Sequence, residues 1–276
     1  MAAAQSNAAR SSDFAIIIPA RFASQRYPGK PLAELRGATG ESRSLIRRSW
    51  EAAVAIAAPD RVWVATDDAR IAAHVEAFGG QVVMTAESCR NGTERCAAAL
   101  EVLGEIAPII VNLQGDAPLT PDFVVADLVA ALAADADAVM TTPGVRCSPT
   151  LYHHLVTDQA QGRVGGTTVV FGADRRALYF SKRVVPHVPE ALADGHRHVH
   201  LHLGVYAYRP AALRSYAAMA PSALEQLEGL EQLRFLESGE IIRVVPFAPL
   251  EWDCIELNNP QDVPAIEAVL LQRGIG

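Results

Sequence analysis

The sequence predicts an α/β fold, a mainly parallel sheet with an antiparallel lobe inserted in it, and three observations carry that prediction. Short, continuous apolar runs recur along the first half of the chain, as strands buried on both faces require. Alanine-rich stretches with helical spacing lie between those runs, and the alternation implies right-handed βαβ crossovers. From about Pro143 the rhythm changes to strand after strand without long helices between them.

Phe14 to Ile18 (FAIII), followed by Pro19, reads as the first buried strand. Arg61 to Ala65 (RVWVA), Gln81 to Met84 (QVVM), Ile109 to Leu113 (IIVNL) and Ala138 to Thr142 (AVMTT) repeat the pattern. Gly165 to Phe171, Ala177 to Phe180 and Leu203 to Tyr208 are the strands of the antiparallel lobe, placed at about 143–208. Ser222 with Glu225 fits a capping box that starts a helix through Leu236, and Gly239 stops it. Ile241 to Val245 returns to the sheet, and Asn259-Pro260 starts a last helix toward Gln272. Met1 to Ser12 reads as a flexible tail, Gly37 to Ser44 as a loop, and 13–276 as one domain.

Composition narrows the function classes. Lys+Arg 24 against Asp+Glu 31 leaves a net charge of −7, which argues against nucleic acid or a membrane surface as partner, since both require a basic excess. No apolar run reaches the roughly 18 residues that span a bilayer, and the start lacks a secretory stretch. Four widely spaced cysteines, Cys89, Cys96, Cys147 and Cys254, form no C-x-x-C pair and read as reduced thiols of a cytoplasmic protein.

In a parallel sheet, ligands bind beyond the carboxyl ends of the strands. The loop after the first strand, Pro19 to Leu32 (PARFASQRYPGKPL), brings Arg21, Arg26 and Lys30 together with Ser24 and Gly29. Three cations and open backbone N–H groups on one loop suit a polyphosphate, although taken alone the same residues make a solvated basic turn. The loop is neither a Walker A sequence nor a G-x-G-x-x-G turn.

These residues carry a resemblance. IIPARFASQRYPGKPL resembles the opening signature of the CMP-Kdo synthetases, the 3-deoxy-manno-octulosonate cytidylyltransferases. NGTER (Asn91 to Arg95) is similar to the family's SGTER, NLQGDAPL (Asn112 to Leu119) to NVQGDEPL, ALYFSK (Ala177 to Lys182) to ALYFSR, and HLGVYAYR (His202 to Arg209) to HLGIYAYR. LEQLR (Leu230 to Arg234) matches outright, so six motifs in register span nearly the whole chain after the tail.

The resemblance implies a Rossmann-like nucleotidyltransferase domain whose inserted antiparallel lobe forms a homodimer. It implies attack by an acceptor oxygen on the α-phosphorus of CTP, with release of pyrophosphate. Arg21, Arg26 and Lys30 would hold the triphosphate with Ser24 nearby, and Arg21, Lys30 and Asp116 would be catalytic. Asn91, Gly92, Thr93, Arg95 and Gln114 would surround cytosine and ribose, although Thr93 and Glu94 equally fit the capped first turn of a helix running to Leu103. Asp116 is the implied Mg²⁺ ligand, carboxylate oxygen being what a hard cation takes beside phosphates. Asn258 stands where the family has its second metal aspartate and would ligate through its amide oxygen, with Asp253, Glu256 and Asp262 near in sequence.

On the acceptor side Lys182, His202, Tyr206, Glu231 and Gln232 match positions that contact the sugar acid, but departures accumulate. Lys182 replaces the family's arginine, exchanging a planar fork for a point charge. Leu201 precedes His202 where a basic residue is usual, and Gln161 to Phe171 replaces an N-P-N-x-V-K-V-V segment. Period-two spacing would put His196, His198, His200 and His202 on one strand face, with His202 at the acceptor. The nucleotide side is kept while the acceptor side changes, as a change of acceptor predicts. The expected acceptor is therefore a small, multiply charged phosphonate such as phosphonoformate, with Lys182, Arg183, Arg163 and the histidines supplying positive charge. Kdo is the alternative, and a nucleotide-binding homologue without turnover is a second.

Overall fold

The computed structural model describes residues 13–23, 27–189, 191–192 and 194–276; the tail expected at 1–12 lies outside them. A ten-stranded sheet organises the molecule. Strand β1 (Phe14–Ala20) is buried along its whole length, as an unbroken apolar run demands. It is followed by a short antiparallel hairpin, β2 (Glu34–Arg36) and β3 (Ser42–Ser44), where the sequence suggested only a loop. Helix α1 (Leu45–Val54) starts on the Ser44 hydroxyl, which accepts from Arg47 N–H.

Strand β4 (Val62–Thr66), helix α2 (Ala69–Ala77), strand β5 (Gln81–Met84), helix α3 (Gly92–Leu103), strand β6 (Ile109–Leu113) and helix α4 (Asp122–Ala134) complete the βαβ part. β5, β4, β1 and β6 lie side by side and run parallel, so their carboxyl ends share one edge.

Beyond β6 the sheet continues through strand β7 (Met140–Arg146), β8 (Thr167–Phe171), β9 (Ala177–Ser181), β10 (His200–His202) and β11 (Val205–Tyr208). β11 lies antiparallel to both β6 and β7, and β10 lies antiparallel to β7 and β8, so the antiparallel strands extend the same sheet. The expectation of no long helix after Pro143 is corrected by α5 (Pro149–Ala160), which starts on a Ser148 cap with proline at its first position. The histidine pattern is corrected as well. His196 and His198 sit in a 3₁₀ turn, and only His200 and His202 share the strand.

Helix α6 (Pro210–Ala218) packs on α3. The single helix expected from Ser222 to Leu236 is two, α7 (Ala223–Glu228) and α8 (Leu233–Glu237). The capping box forms as read, but Gly229 takes a left-handed φ of 62° and ends α7 one turn later. Strand β12 (Ile242–Phe247) runs parallel to β7, and α9 (Val263–Gln272) closes the chain's described part. Among the described residues no helix is long and apolar enough to cross a membrane.

Candidate functional site

The carboxyl edge of β1 and β6 opens into a cleft of about 760 Å³. Arg21, Lys30, Asn91, Gly92, Arg95, Gln114, Asp116 and Asn258 all line it, together with Cys89. Sequence positions 21 to 258 thus converge on one wall-to-wall space, as the topology of a parallel sheet allows. Ser24 and Arg26, expected beside the triphosphate, lie outside the described residues.

The loop after β1 is shaped by its own backbone. Gly29 N–H donates to Phe22 C=O at 3.0 Å, and the 3₁₀ turn Lys30–Leu32 follows. The Arg70 guanidinium lies 3.4 Å from the Phe22 ring centroid, a cation–π contact that pins the loop. Lys30 is thereby aimed across the cleft, where its Nζ donates to Asp116 Oδ2 at 2.6 Å. Asp116 sits in the turn after β6, and its carbonyl accepts from Leu257 N–H at 2.9 Å, which places Asn258 against the same turn. Asn258 Nδ2 donates to Glu256 Oε2 at 3.4 Å. Asp262 is used otherwise, accepting from the backbone N–H groups of Asn258 and Asn259 as a cap, and Asp253 is exposed.

The start of α3 forms the adjoining wall. Asn91 is its cap, accepting from Glu94 N–H at 2.8 Å and donating to Tyr216 at 2.9 Å, so the capping role falls on Asn91 rather than on Thr93. Thr93 is fully buried, its hydroxyl on Tyr208 Oη at 2.8 Å, and it presents no side chain to the cleft. Arg95 reaches the cleft from below, held by Asp67 at 2.6 Å and Thr85 at 2.7 Å. Asp67, just after β4, was not singled out in the sequence; its place after a strand was the available signal.

Behind the cleft lies a group of largely buried polar side chains. Glu231 accepts from Thr93 N–H at 2.9 Å and from Gln114 Nε2 at 3.3 Å, and burial of its carboxylate raises its pKa. Tyr206 donates to Gln232 Oε1 at 3.4 Å, and its ring tilts against His202 at 5.5 Å. His202 Nε2 meets the Thr142 hydroxyl at 2.9 Å, and burial pushes its pKa down to about 3, so the ring is neutral. Asn112, in the middle of β6, is fully buried with neither amide atom partnered among the described residues. An asparagine inside an otherwise apolar strand run was the sequence signal for it. Lys182 Nζ lies 2.8 Å from where a side chain on Gly229 would begin, two residues before Glu231.

The α7–α8 turn that carries Glu231 and Gln232 is held by a buried guanidinium. Arg234 donates to Glu225 at 2.6 and 2.7 Å and to Glu94 at 3.0 Å, with its Cζ 3.9 Å from the Tyr216 ring centroid. The same Glu94 lies in the first turn of α3, so the cleft wall and the buried polar group are fixed to each other.

A mixed sheet that sets cations facing a carboxylate beyond its parallel strand ends, with neutral hydrogen-bonding walls beside them, is the framework of a nucleotidyltransferase. The family model described as Cytidylyltransferase matches residues 15–242, and the chain belongs to that family, as an enzyme. The 3-deoxy-manno-octulosonate cytidylyltransferase of Maricaulis maris is 41% identical over 260 residues, covering 94% of this chain and 97% of its own. The mitochondrial 3-deoxy-manno-octulosonate cytidylyltransferase of Arabidopsis thaliana is 35% identical, with 94% and 83% covered. A solved CMP:2-keto-3-deoxy-manno-octonic acid synthetase complexed with CTP superposes with a TM-score of 0.78 at 32% identity, covering 95% of this chain and 99% of that one.

Proposed function

We propose that this cytidylyltransferase transfers CMP from CTP to 3-deoxy-manno-octulosonate and releases pyrophosphate. The observation that carries the acceptor is the character of the polar group behind the cleft, which is neutral to acidic. His202 is uncharged, Glu231 supplies a carboxyl group, and Tyr206, Gln232 and Asn112 are neutral hydrogen-bonding groups. Of the cations that favoured a phosphonate, Arg163 is paired with Asp158, donating at 3.0 Å, and Arg183 is exposed. Lys182 stays near the turn that carries Glu231, its Nζ against Gly229. A compact, multiply charged acceptor would meet too little positive charge there, whereas a hydroxyl-rich sugar acid finds partners. The names of the relatives support the same acceptor, and phosphonoformate gives way to it.

On this reading Arg21 and Lys30 hold the triphosphate, and Lys30 places its charge where it builds up at the α-phosphorus. Arg95 and Gln114 line the nucleoside side, with Asn91 and Gly92 shaping the wall. The donor set fits Mg²⁺: Asp116 and Asn258 offer oxygen, and the 2.6 Å contact from Lys30 marks the Asp116 carboxylate as a place for positive charge. Among the described residues no group of three or more His, Cys, Asp or Glu could hold a metal, so an ion here would share its coordination with substrate phosphates. When bound, Mg²⁺ supplies charge neutralisation for the triphosphate and pyrophosphate.

Pyrophosphate release tests the proposal, with CTP and Mg²⁺ offered against Kdo and phosphonoformate separately and with UTP and ATP as controls. Release with CTP and Kdo is expected; release with phosphonoformate but not Kdo would overturn the acceptor.

A further inference from the structure

Asn112 occupies a central strand, between Ile17 of β1 and Tyr206 of β11. A β-branched residue is the ordinary occupant of such a position. Instead a primary amide is enclosed there at 0% exposure, with Oδ1 and Nδ2 both lacking a partner among the described residues. A buried donor and a buried acceptor left unmatched each cost about 1–3 kcal/mol, so a fold has no reason to keep this side chain for stability.

The amide lies directly behind the cleft wall. A Cβ on residue 92 would lie 3.3 Å from Asn112 Nδ2 and 2.7 Å from Gln114 Nε2, so only a glycine lets both amides pack this closely against a residue that lines the cleft. On the other side, Tyr206 is the cross-strand neighbour of Asn112, and residues directly opposite share a sheet face. Tyr206 leads to Gln232, whose Nε2 is a second buried donor without a partner. Two unmatched donors and one unmatched acceptor thus sit on side chains linked through Tyr206.

We infer that Asn112 is a specificity residue that reads a hydroxyl of the acceptor, accepting through Oδ1 and donating through Nδ2, with Gln232 donating beside it. The inference rests on the sugar-acid reading given above and deepens it. A phosphonate offers oxygen acceptors to Nδ2 but no hydroxyl to Oδ1, so only a polyhydroxylated acceptor satisfies both ends of the amide. Ribose hydroxyls of the nucleotide share this chemistry, and the experiment separates the two sources.

Asn112→Leu replaces the amide by an apolar group of similar shape, and Asn112→Thr serves as a second variant suited to a strand. Both are compared with wild type on Kdo and on Kdo analogues each lacking one hydroxyl, with KM for CTP measured in parallel. Wild type is expected to prefer Kdo over one analogue by roughly 10- to 100-fold in kcat/KM, and the variants to lose most of that preference. KM for CTP should stay within about twofold, and the melting temperature of Asn112→Leu should equal or exceed wild type. Variants that keep the wild-type preference, or that raise KM for CTP and leave Kdo untouched, would overturn the inference. Wild type that fails to turn over Kdo at all would overturn the acceptor reading instead.

Discussion

Lys30 and Asp116 approach to 2.6 Å across the cleft, at side-chain exposures of 16% and 25%. Neither side chain is part of an apolar cluster, so loss of Lys30 should spare the fold while removing charge stabilisation at the α-phosphate. Lys30→Ala is expected to lower kcat by about 10²- to 10³-fold with a nearly unchanged melting temperature. Steady-state kinetics and a thermal scan check this, and normal turnover would remove Lys30 from the site. Residues of this kind were legible in the sequence because they cluster in short motifs after apolar strands. Asn91 was legible as part of its motif, but its capping role needed the helix start to be seen. Asp67 and Asn112 carry only faint signals in the sequence, because their meaning comes from neighbours far along the chain: Arg95 is 28 positions from Asp67, and Tyr206 faces Asn112 only through sheet register.

At the scale of elements, the turn between α7 and α8 joins structure to chemistry. Gly229 adopts φ 62°, which ends α7 and lets the next residues reach inward as Glu231 and Gln232. Arg234 then anchors the turn to Glu225 and Glu94, both carboxylates largely enclosed. Arg234→Leu would leave Glu225 without its cation and Glu94 with Arg90 alone, and a loss of about 3–5 kcal/mol is expected in urea unfolding. A change below about 1 kcal/mol would show the ion pairs to be incidental. The parallel strands were readable because continuous apolar runs have one favourable fate, burial on both faces. The hairpin of β2 and β3 escaped notice because three residues are too few to show a period. Helix α5 was missed although Ser148-Pro149 is a helix-start signal, because its residues show little helical segregation of apolar and polar side chains. The helix broken at Gly229 was misread because the apolar spacing continues through the glycine.

The molecule as a whole should register the buried histidine. His202 has its pKa depressed from 6.5 to about 3 by burial alone, so the folded state holds the neutral ring and the unfolded state takes up the proton first. Its contribution to stability is therefore complete above pH 6.5 and is lost as the pH falls toward 3. The loss should be about 2 kcal/mol at pH 5, measured as the difference in urea midpoints between His202→Gln and wild type across pH 5 to 7.5. A constant difference between the two proteins over that range would contradict the burial account. Leu178 stands exposed on β9 and Val164 in the coil before β8, within the part of the chain where the resemblance led us to expect a partner copy. We propose a homodimer with two-fold symmetry there, and light scattering should give twice the 29.5 kDa of one chain. A mass of one chain at micromolar concentration would remove the dimer. The acceptor is tested most directly by offering Kdo and phosphonoformate together, with CTP and Mg²⁺, and weighing the product by mass spectrometry. The account predicts the mass of CMP-Kdo; a CMP-phosphonoformate product with Kdo left untouched would contradict it.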